Sequence, residues 1–245
     1  MTDTCKAIID LLGCECERID AAAGGRAIYR RYKMLLRQGE AAGFTPLAVY
    51  VSDFLLEALL DNLSEASAQT CVEYRAKLLP LVEHIDVYAL LQARFEGAAA
   101  DIEPAELVGN FANIRHVEGE ESLCMSCRGM AREVLIVKCP TQNPWELPLY
   151  LPMGGFNDCP LPAEQAAVFR FWQEVNGAVP VVVGYDIWEL RVSNPPMQLL
   201  EAERLAMQHF AFDFERVLQA EKGQDSLRAL ASRLAGAKIW YFWWG

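Results

Sequence analysis

The chain has 245 residues, 53% of them hydrophobic and 22% charged, a balance typical of globular proteins that bury a sizeable core. Its formal net charge of −11 disfavours binding to nucleic acid or to anionic membranes, because both need a basic protein surface. Residues 1–12 lack the pattern of a signal peptide, and no apolar run approaches the length of about 20 residues that spans a bilayer. With eight scattered cysteines, we therefore expect a cytoplasmic protein with reduced thiols.

The N-terminal hundred residues have a mainly helical pattern. Periodic apolar residues predict helices over residues 4–12, 26–42, 65–79 and 81–95, and a further helix that begins at Ser52 or Asp53. Residues 45–51 have the composition of a strand. The helix over residues 26–42 carries the densest basic patch, which we interpret as a solvated helix face because no second basic element accompanies it.

The helical periodicity fails over residues 96–121, where glycines, alanines and an acidic run predict irregular surface structure. Residues 132–139 then predict a strong strand, and residues 146–151 predict a weaker one. Residues 163–176 predict an amphipathic helix. Its apolar side comprises Val168, Phe171, Trp172 and Val175.

The last seventy residues predict three more strands and two helices. Residues 179–185 and 188–192 are expected to form a hairpin around Asp186. The second of the two helices that follow is capped by Asp225. Residues 238–244 form the last strand, which is apolar on both faces, so we expect it to lie between two layers and to contribute much of the folding free energy.

Together these elements predict an α+β fold, with a mixed, mainly antiparallel sheet packed with helices and a helical N-terminal half. The C-terminal strands form the sheet, and the strand at residues 45–51 is a candidate member of it. We expect a single compact unit. The pattern allows a subdivision into a mainly helical region, residues 1–100, and an α+β region, residues 131–245, with the boundary near residues 97–130.

Several spaced motifs in the C-terminal part occur together. They are Pro144-Trp145-Glu146, Gly154-Gly155-Phe156-Asn157-Asp158-Cys159-Pro160, Trp172 before Asn176-Gly177-Ala178, Tyr185-Asp186 with Trp188-Glu189, and Trp240 with Phe242-Trp243-Trp244. In this order they resemble the bacterial family called domain of unknown function 4253, over roughly residues 134–245. The resemblance implies no biochemical activity, so it supplies a category without a mechanism.

The chain departs from the family's pattern at two places. A family helix that typically reads Glu-Gln, two residues, then aromatic-Cys-Pro-Asp is here represented by Gln208-His209 and Phe212-Asp213-Phe214-Glu215. The family tends to end in an acidic residue, where this chain has Gly245. Any chemistry carried by those polar positions would be altered in this chain.

Cys159 is the first catalytic candidate, because a thiol just before a helix can have a lowered pKa and act as a nucleophile. Such a cysteine needs a base, and the histidines His84, His116 and His209 all lie far from it in sequence. A small buried thiol that fixes a turn is the competing interpretation, and the one we favour.

Carboxylates beside glycines, aromatics or turns form a second group of candidates. Two of them could pair as acid and base or hold a cation, although caps and turn hydrogen bonds explain such residues more often. The carboxylate candidates for catalysis are Asp158, Asp186 and Glu189. His209 is the candidate base, so the catalytic candidates beyond Cys159 are these four residues. The residues expected to form a binding surface are Trp145, Glu146, Gly154, Gly155, Asn157 and Trp188.

No cofactor is expected, since the Gly154-Gly155 pair lacks the spacing of a phosphate-binding loop. Cys124 and Cys127 form a lone CxxC pair, a weak signal for zinc because a structural zinc site needs two more ligands. We therefore expect no metal.

The sequence favours a non-catalytic module that binds a protein or a ligand, with no nucleic-acid or membrane partner. The alternative is a hydrolase or transferase that uses Cys159 or a pair of carboxylates in a cleft beneath the Gly154-Gly155 turn. The oligomeric state does not follow from the sequence.

Overall fold

A six-stranded sheet runs through the computed structural model, which describes residues 1–19, 25–112 and 133–245. The strands are β1 (Cys16–Ile19), β2 (Thr45–Tyr50), β3 (Val134–Cys139), β4 (Ala178–Val183), β5 (Ile187–Val192) and β6 (Ile239–Trp243). The helices are α1 (Asp3–Leu12), α2 (Gly25–Ala42), α3 (Asp53–Glu65), α4 (Cys71–Val82), α5 (Val87–Ala99), α6 (Pro104–Val108), α7 (Leu147–Tyr150), α8 (Pro162–Asn176), α9 (Leu199–Phe212), α10 (Glu215–Leu218) and α11 (Leu227–Leu234).

The strand order is β1-β3-β2-β4-β5-β6. All neighbouring pairs are antiparallel except β2 and β4, which run parallel. This confirms the predicted α+β fold with a mixed, mainly antiparallel sheet. The strand predicted at residues 45–51 is β2, which lies in the middle of the sheet with all six of its residues buried.

Helices cover both faces of the sheet. On one face α2 is the helix that packs among the described residues, placing Ile28, Tyr32 and Leu35 against strand residues such as Ile136 and Val182. The opposite face carries the larger core, to which α1, α3, α4, α8, α9 and α11 contribute. Burial of apolar surface on both sides explains why the central strands read as continuous apolar runs.

Local signals in the sequence begin and end many of these helices. Side chains of Ser52, Thr70 and Ser226 accept a hydrogen bond from a backbone N–H in the first turns of α3, α4 and α11. The hairpin predicted around Asp186 is confirmed, with β4 and β5 antiparallel. Within the described ranges, no helix is both long and apolar enough to cross a membrane.

The predicted strand over residues 146–151 is wrong. A 3-10 turn, Pro144–Glu146, leads into the short helix α7 there. Pro148 explains the difference, because proline cannot donate a sheet hydrogen bond but is tolerated in the first turn of a helix. The apolar composition suggested a strand because every residue of α7 is buried.

The buried side of α8 also differs from the prediction. Val175 is 58% exposed, whereas Gln165, Val168, Phe169 and Trp172 are buried. The buried side of α8 therefore includes the polar Gln165 and excludes Val175. Hydrophobic periodicity alone would place an apolar residue at position 165.

The terminal strand β6 lies at the edge of the sheet. Trp240, Phe242 and Trp244 are buried on one side, while Ile239 and Tyr241 on the other side are half-buried. The expected burial of both faces is therefore wrong for the outer face. The expected contact with the glycine–proline segment is present, because Asn157 Nδ2 donates to the carbonyl oxygen of Gly245 at 3.1 Å.

Candidate functional site

The segment Met153–Leu161, which we call the bend, joins α7 to α8 in a tight turn. Gly154 and Gly155 have φ angles of 116° and 82°. A Cβ atom on Gly154 would lie 2.4 Å from both Gln165 Nε2 and the carbonyl oxygen of Pro160. The first position of the pair thus requires glycine both for its backbone angle and for its lack of a side chain.

Gln165 holds the bend in place from within the core. Its Nε2 donates to the carbonyl oxygens of Met153 (2.8 Å) and Pro160 (2.7 Å), and its Oε1 accepts from Trp188 Nε1 at 2.7 Å. Sequence reasoning missed this residue, although a glutamine four positions before Phe169 and seven before Trp172 is a recognisable signal.

Arg94 of α5 is a second anchor that the sequence did not reveal. Its Nε donates to the carbonyl oxygen of Ala211 at 2.9 Å, and its Nη2 donates to those of Asp158 and Phe212. The guanidinium therefore ties the bend to the end of α9. Charged donors make stronger hydrogen bonds to carbonyls than neutral ones do.

A cleft of about 220 Å3 opens between α3 and the outer side of the bend. Glu57, Asp61 and Glu65 line it from α3, at a spacing of four residues that places them on one side of the helix. Asn62 joins the two walls, since its Nδ2 donates to the carbonyl oxygen of Gly154 at 3.2 Å.

Aromatic rings form the opposite wall. Phe156 of the bend stacks on Tyr185 of the β4–β5 turn, with ring centroids 4.5 Å apart and planes 6° from parallel. Phe54 of α3 contacts Tyr185 from the other side of the cleft, with ring centroids 5.3 Å apart and planes tilted by 37°, and is 63% exposed. Leu161 completes the lining.

The charge of the cleft is uncompensated. Glu57, Asp61 and Glu65 are exposed, and no lysine or arginine of the described ranges forms an ion pair with them. Aromatic rings attract cations through their faces, and Phe156 and Tyr185 line the cleft beside these carboxylates, so a positively charged group suits its lining. The described histidine, cysteine and acidic side chains include no group of three or more placed to hold a metal ion.

Cys159 lies on the inner side of the bend, 4% exposed. Burial, reinforced by the nearby charge of Asp213, raises the pKa of its thiol well above the ordinary value. Its Sγ is 3.6 Å from Gln165 Nε2, and neither His84 nor His209 hydrogen bonds to it. A buried, protonated thiol favours the role of a packed turn residue over that of a nucleophile.

His209 occupies a different environment from the one a catalytic base needs. Its ring packs against Trp172, Trp240 and Phe242, with centroids 4.6 to 4.8 Å away. Burial lowers the pKa of the imidazole well below its ordinary value, and Nδ1 lies 2.6 Å from Arg216 Nη1. His84 is exposed after α4, and His116 lies outside the described residues.

The predicted carboxylates support the fold rather than sharing one pocket. Asp186 Oδ2 accepts from Trp243 Nε1 at 3.0 Å. Glu146 Oε2 accepts from Nε and Nη2 of Arg75, at 3.0 and 2.7 Å. The structure places Glu189 fully buried on β5, while Asp158 is exposed in the bend.

Among the predicted binding residues, the structure brings only Gly154 and Gly155 to the cleft lining. Trp188 is buried, and Trp145 is half-buried with the Arg170 guanidinium 5.3 Å from its ring centroid. Cys124 and Cys127 lie outside the described residues.

Comparison with known families assigns residues 135–245 to the model described as Domain of unknown function (DUF4253). This confirms the resemblance predicted for the C-terminal half. A search of curated proteins found no match, and a search of solved structures found none. The family segment supplies the bend and Tyr185, whereas the carboxylates of α3 lie outside it.

Proposed function

We propose that this protein is a non-catalytic binding module that holds a positively charged group in the cleft between α3 and the bend. The observation that carries the proposal is the pairing of two walls, one of unpaired carboxylates and one of stacked aromatic rings, around a cavity of about 220 Å3. Carboxylates attract a cation directly, and aromatic faces attract it through their quadrupole.

The size of the cleft limits what it accepts. Pockets for drug-sized ligands hold about 300–1,000 Å3, so this cavity is better matched to one side chain or a small amine. A lysine ammonium or an arginine guanidinium has both the charge and the size. The partner we propose is therefore a protein with an exposed basic segment.

Electrostatics beyond the cleft supports the same partner. The chain carries a net charge of −11, which attracts a basic protein and raises its rate of association. The rigid bend, held by Gln165 and Arg94, keeps the aromatic wall in position before a ligand arrives. A preformed site loses less entropy on binding.

The environments of the candidate catalytic residues support a hydrolase or transferase less well than they support a binding module. The thiol of Cys159 is buried on the far side of the bend, and its pKa is raised by that burial. The carboxylates at the cleft belong to one helix face and are exposed to solvent, whereas catalytic carboxylates are typically held in distinct environments.

The proposal is tested by calorimetry with a hexalysine peptide. Neutralising the cleft, with Glu57→Gln, Asp61→Asn and Glu65→Gln combined, should weaken binding about tenfold or more, since three charges near the ligand are lost.

The matched control neutralises Glu83, Asp101 and Glu103, three exposed carboxylates away from the cleft. It removes the same number of negative charges as the cleft variant. It should alter binding less than about threefold, because these carboxylates do not line the cleft. Equal losses in the two variants, or no binding by the parent protein, would refute the proposal.

A further inference from the structure

Three cysteine side chains converge at the end of the sheet opposite to the cleft. Cys14 and Cys16 bracket the start of β1, and Cys139 ends β3. All three belong to or pack against the main core, Cys139 fully buried and the other two half-buried. The proposed binding function does not use them.

The strand register places Cys14 opposite Cys139. β1 pairs with β3 so that Cys16 faces Val137, and the pairing continues outward, because Lys138 N donates to the carbonyl oxygen of Glu15 at 2.8 Å. Cys14 and Cys139 are the next residues along the two chain segments. Directly opposed residues of antiparallel strands have their Cα atoms about 4.5–5.5 Å apart.

The two side chains lie near each other. The Cys139 thiol is the largest cause that raises the pKa of Cys14 to about 12, and burial adds to it. Disulfides need Cα separations of about 4.4–6.8 Å and side chains directed at each other, which a directly opposed pair provides.

Cys16 is a weaker candidate partner for Cys14. Residues two apart in a strand have Cα atoms about 6.6 Å apart and side chains that point in parallel. The thiols of Cys14 and Cys16 are also within hydrogen-bonding reach, and Cys16 Sγ donates to the carbonyl oxygen of Cys14 at 3.3 Å. The described thiols also form no set of three or more that is placed to hold a metal ion.

We propose that Cys14 and Cys139 are a redox pair that closes reversibly to a disulfide when the protein meets an oxidised low-molecular-weight thiol such as glutathione disulfide. Cys14, the half-exposed member, attacks one sulfur of the reagent as a thiolate, forms a mixed disulfide and releases one glutathione thiolate. Cys139 then attacks the Cys14 sulfur and releases the second. Two protein thiols are oxidised, one glutathione disulfide is reduced to two glutathione thiols, and the charges are balanced by proton exchange with water.

Only the thiolate attacks, so the raised pKa of Cys14 makes the reaction slow at neutral pH, and the reaction should accelerate as the pH rises. The bond, once formed, would join the start of β1 to the end of β3 and tie the edge strand to the middle of the sheet.

The experiment uses the full chain with Cys124→Ser and Cys127→Ser, which leaves six of the eight cysteines. The protein is incubated with glutathione disulfide at pH 8, alkylated, unfolded and analysed by peptide mass spectrometry. A linked peptide containing Cys14 and Cys139, with two fewer free thiols and full reversal by dithiothreitol, would support the proposal.

Variants assign the two roles. Cys16→Ala should still form the link, whereas Cys139→Ala should stop at glutathione attached to Cys14. The protein with only Cys124→Ser and Cys127→Ser, which we call the parent, retains both Cys16 and Cys139. Its peptide map therefore decides the test if a variant fails to fold. An unchanged number of thiols, a stable mixed disulfide in the parent, or a link from Cys14 to Cys16 or Cys71 would overturn the proposal.

Discussion

The cleft and the core on the buried side of β6 both contain acidic side chains. Those in the cleft are exposed to solvent, whereas the one in the core is buried. In the cleft, Glu57, Asp61 and Glu65 are exposed and lack a described cationic partner, while Asp213 is 1% exposed and accepts a hydrogen bond from Trp243 N at 2.9 Å. A buried carboxylate costs free energy unless it is hydrogen-bonded, so the contacts of Asp213 belong to the fold. Exposed carboxylates four residues apart on one helix face repel each other and cost a little stability, while their charge stays available to a ligand.

The two regions are connected through the bend, whose inner side belongs to the core and whose outer side forms the cleft. Gln165 and Cys159 lie on the inner side, and Phe156 and Gly155 line the outer one. Substitutions on the inner side should therefore change stability strongly, and those in the cleft should change binding with little effect on stability.

The largest effect is expected from Gln165→Met. This change preserves volume but leaves Trp188 Nε1 and the carbonyls of Met153 and Pro160 without a partner in the core. Buried polar groups left unpaired cost about 1–3 kcal/mol each, so the free energy of unfolding should fall by about 3–5 kcal/mol in urea denaturation. Gln92→Met, at an exposed position on α5, should cost less than about 0.5 kcal/mol. Similar values for the two variants would contradict the anchoring role.

A smaller loss is expected from Gly154→Ala. Gly154 and Gly223 both have positive φ angles, of 116° and 85°, but only the first is enclosed. No described atom lies within 4 Å of a Cβ placed on Gly223. Gly154→Ala should lower the free energy of unfolding by about 2–4 kcal/mol, and Gly223→Ala by about 1 kcal/mol, measured in urea. Equal losses would show that backbone strain alone decides the outcome.

The buried carboxyl group of Asp213 should make the free energy of unfolding depend on pH. Burial raises the pKa of Asp213 to about 7 from its ordinary 3.8, against the opposing charge of Arg216. The protonated form is therefore favoured in the folded state, and the stability that it contributes is complete below about pH 3.8 and is lost as pH rises through 7.

Asp213→Asn removes this titration. The unmodified protein loses stability as the pH rises, and the variant does not. The free energy of unfolding of the variant minus that of the unmodified protein should therefore rise by about 1.4 kcal/mol per pH unit between pH 4 and 7. A flat difference for Asp213→Asn would mean that its carboxyl titrates in the ordinary range.

The smallest effect on stability is expected at the cleft. Neutralising Glu57, Asp61 and Glu65 together removes repulsion between two pairs of carboxylates at a spacing of four residues, each worth about 0.2–0.5 kcal/mol. The variant should thus be slightly more stable than the parent in urea, while its affinity for a basic peptide falls. A loss of more than about 1 kcal/mol would assign these carboxylates to the fold and weaken the contrast between the two regions.

Much of the fold could be predicted from local patterns. The strand at residues 45–51, the hairpin around Asp186 and the helix after Pro162 follow from periodicity and turn residues, which act over a few positions. The helix at residues 147–150 was missed because its residues are all buried, and uniform burial removes the periodicity that separates helix from strand. The proline within it was the available signal.

The candidate site was predicted only in part, because it is assembled from distant parts of the chain. Gly154 and Gly155 were identified by composition, but the carboxylates that face them come from α3, about ninety positions earlier. Nothing in the local pattern of Glu57, Asp61 and Glu65 distinguishes them from any solvated helix face. Trp188 and Glu189 were proposed as site residues, yet their strand places both side chains in the interior.

The amino-acid sequence by itself determined the local structure, the acidic character and the family resemblance, since each depends on composition or on neighbours within about ten residues. Only the tertiary structure decided which acidic side chains meet an aromatic wall and which thiols lie opposite each other. Those encounters depend on strand pairing, such as that of β1 with β3, and on helix packing across the sheet. Because many pairings satisfy the same local patterns, the one that buries the most apolar surface with its polar groups satisfied is selected only when the whole chain folds.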